Sequence, residues 1–212
     1  MHILDFEKPI ANLEAMIEDL RHRIDGDGVN IADEIGRLQA KVDRERRAIY
    51  AKLAPWQKTQ VARHPDRPHA SDYIKALIED FTPLAGDRCF GEDAAIVGGL
   101  GRFNGASVMV IGNEKGSDTD SRLKHNFGMA KPEGYRKAKR LMEMASHFGV
   151  PVVTLVDTAG AYPGVDAEAR GQAEAIARSI EACLEVRVPL VSLIIGEADR
   201  AVPSPWRSAT RC

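Results

Sequence analysis

The chain has 212 residues, 44% hydrophobic and 28% charged, enough for one globular domain with its own core plus an extension. Its formal net charge of −2 gives no whole-chain electrostatic footprint for nucleic acid. No apolar run approaches the ~20 residues a membrane span needs. Met1-His2-Ile3-Leu4-Asp5 has neither the basic region nor the apolar core of a signal segment, so a cytoplasmic protein without membrane association is expected.

From about Ile10 to Leu53 the pattern is that of a helical hairpin. Ile10, Leu13, Ile17, Leu20 and Ile24 fall on one helical face. Asp25-Gly26-Asp27-Gly28 breaks the helix. Ile31, Ile35, Leu38, Val42, Ile49 and Leu53 form a second stripe, and Pro55 ends it. Two readings stand: a solvated hairpin packed on its own domain, or an arm that grips a partner subunit. In both, one stripe is expected to be buried.

Residues 56–71 read as a polar, basic connector carrying Lys58, Arg63, His64 and Arg67. Such a cluster is either a solvated surface or a seat for phosphate groups, which Arg and Lys suit. Asp72 to Asp80 reads as a helix. Ala94 to Leu100 and Ser107 to Ile111 read as strands around Gly101-Arg102-Phe103-Asn104-Gly105, with Asn104-Gly105 as a hairpin turn. Tyr135 to Phe148 is a helix with Leu141, Met142, Ala145 and Phe148 inward. Val152 to Val156 is a buried strand, Ala167 to Leu184 a helix, and Pro189 to Ile195 the next strand. This alternation predicts an α/β layered domain over residues 72–197, preceded by the hairpin over 1–55. Cys89, Cys183 and Cys212 show no metal-ligand spacing and no disulfide framework, so incidental thiols and no bound metal are expected.

The strand Val152–Val156 runs into Asp157-Thr158-Ala159-Gly160-Ala161-Tyr162-Pro163-Gly164. A buried strand stopping at a turn rich in Gly, Pro and Tyr suits a ligand, because ligands of α/β sheets sit beyond the carboxyl ends of the strands. The turn should therefore follow the strand directly and lie at its carboxyl end, with Tyr162 partly exposed in a concavity. Asp157-Thr158-Ala159-Gly160 also fits a GTPase-like Asp-x-x-Gly. That motif needs an upstream phosphate loop, and Gly112-Asn113-Glu114-Lys115-Gly116-Ser117 lacks the Gly-Lys-Ser/Thr ending. A hydrolase could draw on Ser107, Ser117, Ser121, His125 and Asp157, but there is no Gly-x-Ser-x-Gly elbow. His125, beside Asn126-Phe127-Gly128, reads as positional. Lys115, Arg122, Lys124 and Lys131 either meet an acidic substrate or form a solvated face.

The block from Phe127 to Gln172 closely resembles the alpha-subunit family of bacterial acetyl-CoA carboxylase carboxyltransferases. Further pieces are Asp5-Phe6-Glu7-Lys8-Pro9-Ile10, Trp56-Gln57, Ala62-Arg63-His64-Pro65, Asp72-Tyr73-Ile74, Gly86-Asp87-Arg88, Val108–Gly112 and Pro132–Ala138. The resemblance runs roughly from Asp5 to Glu197. It departs at Ala159, where the family usually has Pro; a slightly looser turn is expected.

The resemblance implies a crotonase fold and transfer of a carboxyl group from carboxybiotin on a carrier protein to acetyl-CoA, giving malonyl-CoA for fatty-acid synthesis. It implies as partners a beta subunit in an alpha2beta2 assembly, the biotin carboxyl carrier protein, and a separate biotin carboxylase that uses ATP. Gly160, Ala161, Tyr162, Pro163 and Gly164, with Phe127 and Gly128, would line the pocket from the alpha side. The family's alpha-side oxyanion hole, a Gly-Gly pair shortly after a Gly-Glu, would face carboxybiotin.

That pair is missing. After Ile195-Gly196-Glu197 the family continues Gly-Gly-Ser-Gly-Gly-Ala, whereas this chain reads Ala198-Asp199-Arg200-Ala201-Val202-Pro203-Ser204-Pro205-Trp206 and ends Arg211-Cys212. Asp199 would set a carboxylate where negative charge develops, and Pro203 and Pro205 remove donors. Within the degeneracy of the genetic code, one choice of codons for Ala198 to Pro205 is GCG GAT CGG GCG GTG CCG TCG CCT. With one G in front they encode Gly-Gly-Ser-Gly-Gly-Ala-Val, so residues 198–212 are expected to be a frameshifted tail and the chain an inactive fragment that at most binds the beta subunit. Sequencing the gene across the Glu197 codon is expected to show codons that restore this glycine run on insertion of one base. Codons that cannot do so would establish a divergent terminus instead.

Overall fold

The computed structural model describes residues 2–22 and 28–198, with the side chains of 28–30 left aside. The chain divides into two compact units between Asp66 and Arg67, inside the stretch read as connector. The break expected around Asp25-Gly26-Asp27 and, of the tail expected to be frameshifted (198–212), residues 199–212 lie outside the described residues. No helix among the described residues is long and apolar enough to cross a membrane.

The first unit holds α1 (Lys8–His22), α2 (Gly28–Ala51) and α3 (Pro55–Ala62). The two apolar stripes close on each other. Ile10, Ile17 and Val42 are buried, with Leu13, Ile35, Leu38 and Ile49 packed around them. Arg46 pairs with Glu14 at 2.7 Å and the Tyr50 hydroxyl donates to Glu7, so α1 and α2 run antiparallel. The stripe is buried within the hairpin itself, against its own partner helix. The connector also contains a helix, α3. Pro55 supplies its pre-set φ at the first turn, and Gln57 Oε1 accepts the Ala54 N–H at 2.8 Å.

The second unit is a five-stranded sheet in the order β1-β2-β3-β4-β5: β1 (Glu79–Pro83), β2 (Ile96–Phe103), β3 (Ala106–Asn113), β4 (Val152–Thr158) and β5 (Leu190–Ala198). β1, β2 and β3 pair antiparallel, whereas β3, β4 and β5 pair parallel. Phe103 faces Ala106, leaving Asn104 and Gly105 as a two-residue turn with φ of 49° and 78°. Both values suit a type I′ hairpin.

β3 and β4 are buried on both faces, which explains why they read as unbroken apolar runs. Met109, Ile111, Val152 and Val156 pack with Leu141, Met142 and Ala145 of α6 (Pro132–Phe148) and with Ala175 and Ala182 of α8 (Gln172–Glu185). Val108, Val110, Leu155 and Ile195 pack on Ala70 and Ile74 of α4 (Ala70–Leu77).

Three sequence expectations need correction, and one element has no counterpart among them. The helix expected over Asp72–Asp80 stops at Leu77, because Ile78 turns extended and Glu79–Pro83 pairs with β2. The helix expected over Ala167–Leu184 is two helices, α7 (Val165–Ala169) and α8; Gly171, at φ 81°, adopts between them a left-handed conformation that costs other residues about 1–2 kcal/mol. Phe148, expected inward, is 70% exposed, since it sits in the last turn of α6, beyond the cluster around Leu141. A short helix, α5 (Thr119–Lys124), was not expected; Asp118 caps it by accepting the Ser121 N–H at 2.9 Å.

Leu141 has no exposed surface. Leu141→Ala is expected to cost about 2–5 kcal/mol in urea unfolding, and Phe148→Ala no more than ~0.5 kcal/mol. Equal losses would contradict the assigned core.

Candidate functional site

Because β3, β4 and β5 are parallel, their carboxyl ends share one edge of the sheet. An ionic cluster centred on the buried Asp157 occupies that edge. Lys115, just past β3, places Nζ 2.9 Å from Asp157 Oδ1 and 2.6 Å from Glu197 Oε1. The Glu197 N–H also donates to Asp157 Oδ1 at 3.0 Å. A Cβ on Gly196 would lie 2.3 Å from that same carboxylate, so only glycine lets β5 pass so close. Burial pushes the Asp157 carboxyl up, but His69, Lys115 and the Glu197 N–H outweigh it and hold its pKa below the ordinary value.

The segment leading into α4 crosses this edge. Arg67 Nε donates to the Ile195 carbonyl. His69, buried, has its Nδ1 3.8 Å from Asp157 Oδ2, an ionic contact when the ring is protonated. The Ser71 N–H donates to Glu114 at 2.8 Å.

The first loop beside the edge carries Asn126, Phe127 and Gly128, with φ of 47°, 55° and 78°. Such a conformation costs on the order of 1–3 kcal/mol at a non-glycine residue and persists only where neighbours enforce it. Here the His125 ring is tied to the Ala94 carbonyl at 2.6 Å, and Asn113 Nδ2 donates to the Gly128 carbonyl at 3.4 Å. A Cβ on Gly128 would stand 2.8 Å from Lys115 Cγ and 2.9 Å from the Asp157 carbonyl oxygen. Asp93 accepts the Lys131 N–H at 2.7 Å and the Ala95 N–H at 3.0 Å. Burial raises its pKa despite these donors. Phe127 is held with 48% of its surface exposed.

The second loop is the turn after β4. Thr158 Oγ1 donates to the Gly160 carbonyl at 2.9 Å and accepts the Gly160 N–H at 3.1 Å. Ala161 bridges Ala130, and the Tyr162 N–H donates to the Ala130 carbonyl at 3.0 Å. The Tyr162 ring is half-buried, with Lys131 Nζ 4.8 Å from its centroid. Pro163 is exposed, and Gly164 precedes α7.

The residues singled out in the sequence thus lie on two loops stitched together at one sheet edge: Phe127 and Gly128 on one, Gly160, Ala161, Tyr162, Pro163 and Gly164 on the other. Ala198, where the glycine run was expected, stands in register opposite Thr158 at the same edge. Lys115 neither faces solvent nor waits for an acidic substrate, since two carboxylates hold it. Asp157 is likewise engaged, so neither an Asp-x-x-Gly nor a triad reading finds a free carboxylate. The Lys115–Asp157–Glu197 contact was missed because its members are far apart in sequence, with none of the local spacing that marks a motif.

The sequence matches the family described as acetyl co-enzyme A carboxylase carboxyltransferase-like over residues 3–200. It is 79% identical over 197 residues to the acetyl-coenzyme A carboxylase carboxyl transferase subunit alpha of Paramagnetospirillum magneticum, covering 93% of this chain and 62% of that protein. The corresponding subunit of Rhodospirillum centenum is 70% identical, with the same coverage. The chain therefore spans less than two thirds of these relatives. Among solved structures, the transcarboxylase 12S core with hydrolysed methylmalonyl-coenzyme A bound superposes with a TM-score of 0.57 at 22% identity, over 71% of this chain and 30% of that one. The beta subunit of P. aeruginosa geranyl-CoA carboxylase gives 0.50 at 23%, over 63% and 23%. At these identities the likeness establishes the fold, which is the crotonase type.

Asp157→Asn is expected to destabilise the protein by roughly 3 kcal/mol at pH 7, the low end for a broken buried pair because Glu197 still holds Lys115. Since the folded pKa of Asp157 is depressed, its contribution is present above the ordinary carboxylate range, near ~4, and is lost as pH falls through the folded value. Urea midpoints of the two proteins should converge progressively as the pH falls below ~4. A gap that stays constant with pH would rule out the ionised carboxylate as the source.

Proposed function

We propose that this chain, which belongs to the alpha-subunit family of acetyl-CoA carboxylase carboxyltransferases, builds the carboxybiotin side of a carboxyl-transfer pocket. The observation that carries this reading is the stitching of the Phe127–Gly128 and Gly160–Gly164 loops at the carboxyl edge of β4. The carrier protein's carboxybiotin supplies the carboxyl group, and acetyl-CoA held by a beta subunit accepts it to give malonyl-CoA. ATP is spent by the separate biotin carboxylase, and the assembly works in the cytoplasm.

In this reading the exposed ring of Phe127 offers a flat apolar surface to the biotin ring system. Lys131, beside Tyr162, attracts the carboxylate that arrives with it. Gly160, Ala161, Pro163 and Gly164 shape the wall by backbone, and Gly128 lets Phe127 approach β4. Much of the rate in such a site comes from holding two reactants in line, and the rest from N–H groups aimed at the developing oxyanion. Here that second element falls on Ala198 and Asp199 in place of the glycine pair. This substitution favours the alternative that the chain as it stands is a non-catalytic fragment that at most binds the beta subunit.

The test is malonyl-CoA formation with beta subunit, carboxylated carrier protein and acetyl-CoA. The chain as written should give none, because losing one oxyanion donor already costs about 10²–10³ in rate. Replacing residues 198–212 with the C-terminal portion of the Paramagnetospirillum relative should yield activity. In that completed chain, Tyr162→Ala should lower kcat/KM about 10- to 100-fold. Near-normal product from the chain as written would overturn the role given to the glycine pair, and full activity of the Tyr162→Ala protein would overturn the pocket.

A further inference from the structure

We infer that Gln172 is a positioning residue that sets the spacing of the two pocket loops, an inference that rests on the carboxyl-transfer reading above. Gln172 is the first residue of α8 and only 3% exposed. Its Nε2 donates to the Ala130 carbonyl at 3.0 Å and to the Tyr162 carbonyl at 3.2 Å. A primary amide nitrogen carries two hydrogens, and here one goes to each loop. Ala130 lies two positions after Gly128, and Tyr162 lies within the turn after β4.

The direction of this clamp is dictated by chemistry. Reversing the amide would set Oε1 against two carbonyl oxygens, acceptor against acceptor. Oε1 itself has no partner among the described residues, so the two carbonyls alone fix the amide's orientation. The clamp is also anchored independently of the loops it holds. α8 is buried through Ala175 and Ala182 in the core shared with α6. The left-handed Gly171 ends α7 and starts α8, which puts Gln172 on the buried first turn. Sites held by residues of this kind, fixed on a packed element, keep tighter geometry than loops left to themselves. Nothing in the arrangement requires Gln172 to touch a substrate. It acts through Phe127, Lys131 and Tyr162, whose relative placement follows from the Ala130–Tyr162 spacing.

The experiment uses two variants of the 212-residue chain, Gln172→Glu and Gln172→Met, followed by amide hydrogen exchange at pH 7. Glu keeps the shape but presents an acceptor to both carbonyls; Met fills the space and donates nothing. Exchange in segments 126–131 and 159–164 should accelerate about 10-fold or more, Glu more than Met, with β4 and α6 unchanged. If Gln172 were only core filling, the isosteric Glu would be the milder change and any loss of protection would spread through α6 and α8. Either result, or unaltered loops in both variants, overturns the inference. In the chain completed at its C-terminus, the same variants should lower kcat while KM for acetyl-CoA stays within about twofold, as expected when transition-state alignment is lost and ground-state binding is kept. Loosened loops with unaltered kcat would instead leave the clamp standing and overturn the pocket reading and the catalytic meaning of the clamp.

Discussion

A lysine held between two carboxylates, one of them buried, fixes the edge on which everything else is mounted. Lys115 lies just past β3, Asp157 is the last residue but one of β4 and Glu197 that of β5, so one ammonium ties the three parallel strands at their carboxyl ends. Burying such ions costs several kcal/mol each. Contacts of 2.6 and 2.9 Å and the Glu197 N–H offset that cost. The geometry also demands a glycine at 196, which gives the Gly196-Glu197 pair a structural reason independent of any chemistry at the positions after it. Arg67, His69 and Ser71 then close over the edge and bring α4 onto the sheet.

On this base sit two loops that would not hold their shape alone. Three consecutive left-handed residues at 126–128 are sustained by the Asp157 backbone beneath Gly128 and by side-chain ties from His125 and Asn113. The turn after β4 is sustained by Thr158 and by the bridge to Ala130. Gln172 joins the two. Left-handed backbone at Asn126 and Phe127 persists because these neighbours enforce it, and it holds the exposed Phe127 ring in a fixed place.

The opposite consequence of the architecture falls on β5. Val191, Leu193 and Ile194 are each about half exposed, although they stand on a strand whose Ile195 is buried. β5 is the last strand of the sheet among the described residues, so an apolar edge of this kind favours association with other chains.

The hydrophobic stripes, the Asn104-Gly105 hairpin, the doubly buried strands and the family were all legible in the sequence, because each rests on local pattern: helical or strand period, a turn dipeptide, or runs of matched residues. The two loops could be singled out for the same reason. What the sequence did not disclose depends on residues distant along the chain. β1 exists because β2 lies beside it, which ends α4 three residues early. Phe148 shares the face of Leu141 but lies past the core, and only the extent of the packed sheet decides that. Lys115 looked like a surface cation until folding brought Asp157 and Glu197 within 3 Å of it. Gln172, apparently one more polar residue near a helix start, became a clamp only when α8 met carbonyls 42 and 10 residues away. Local patterns encode secondary structure and family, whereas charge pairing and loop spacing are settled by long-range packing that no short window contains.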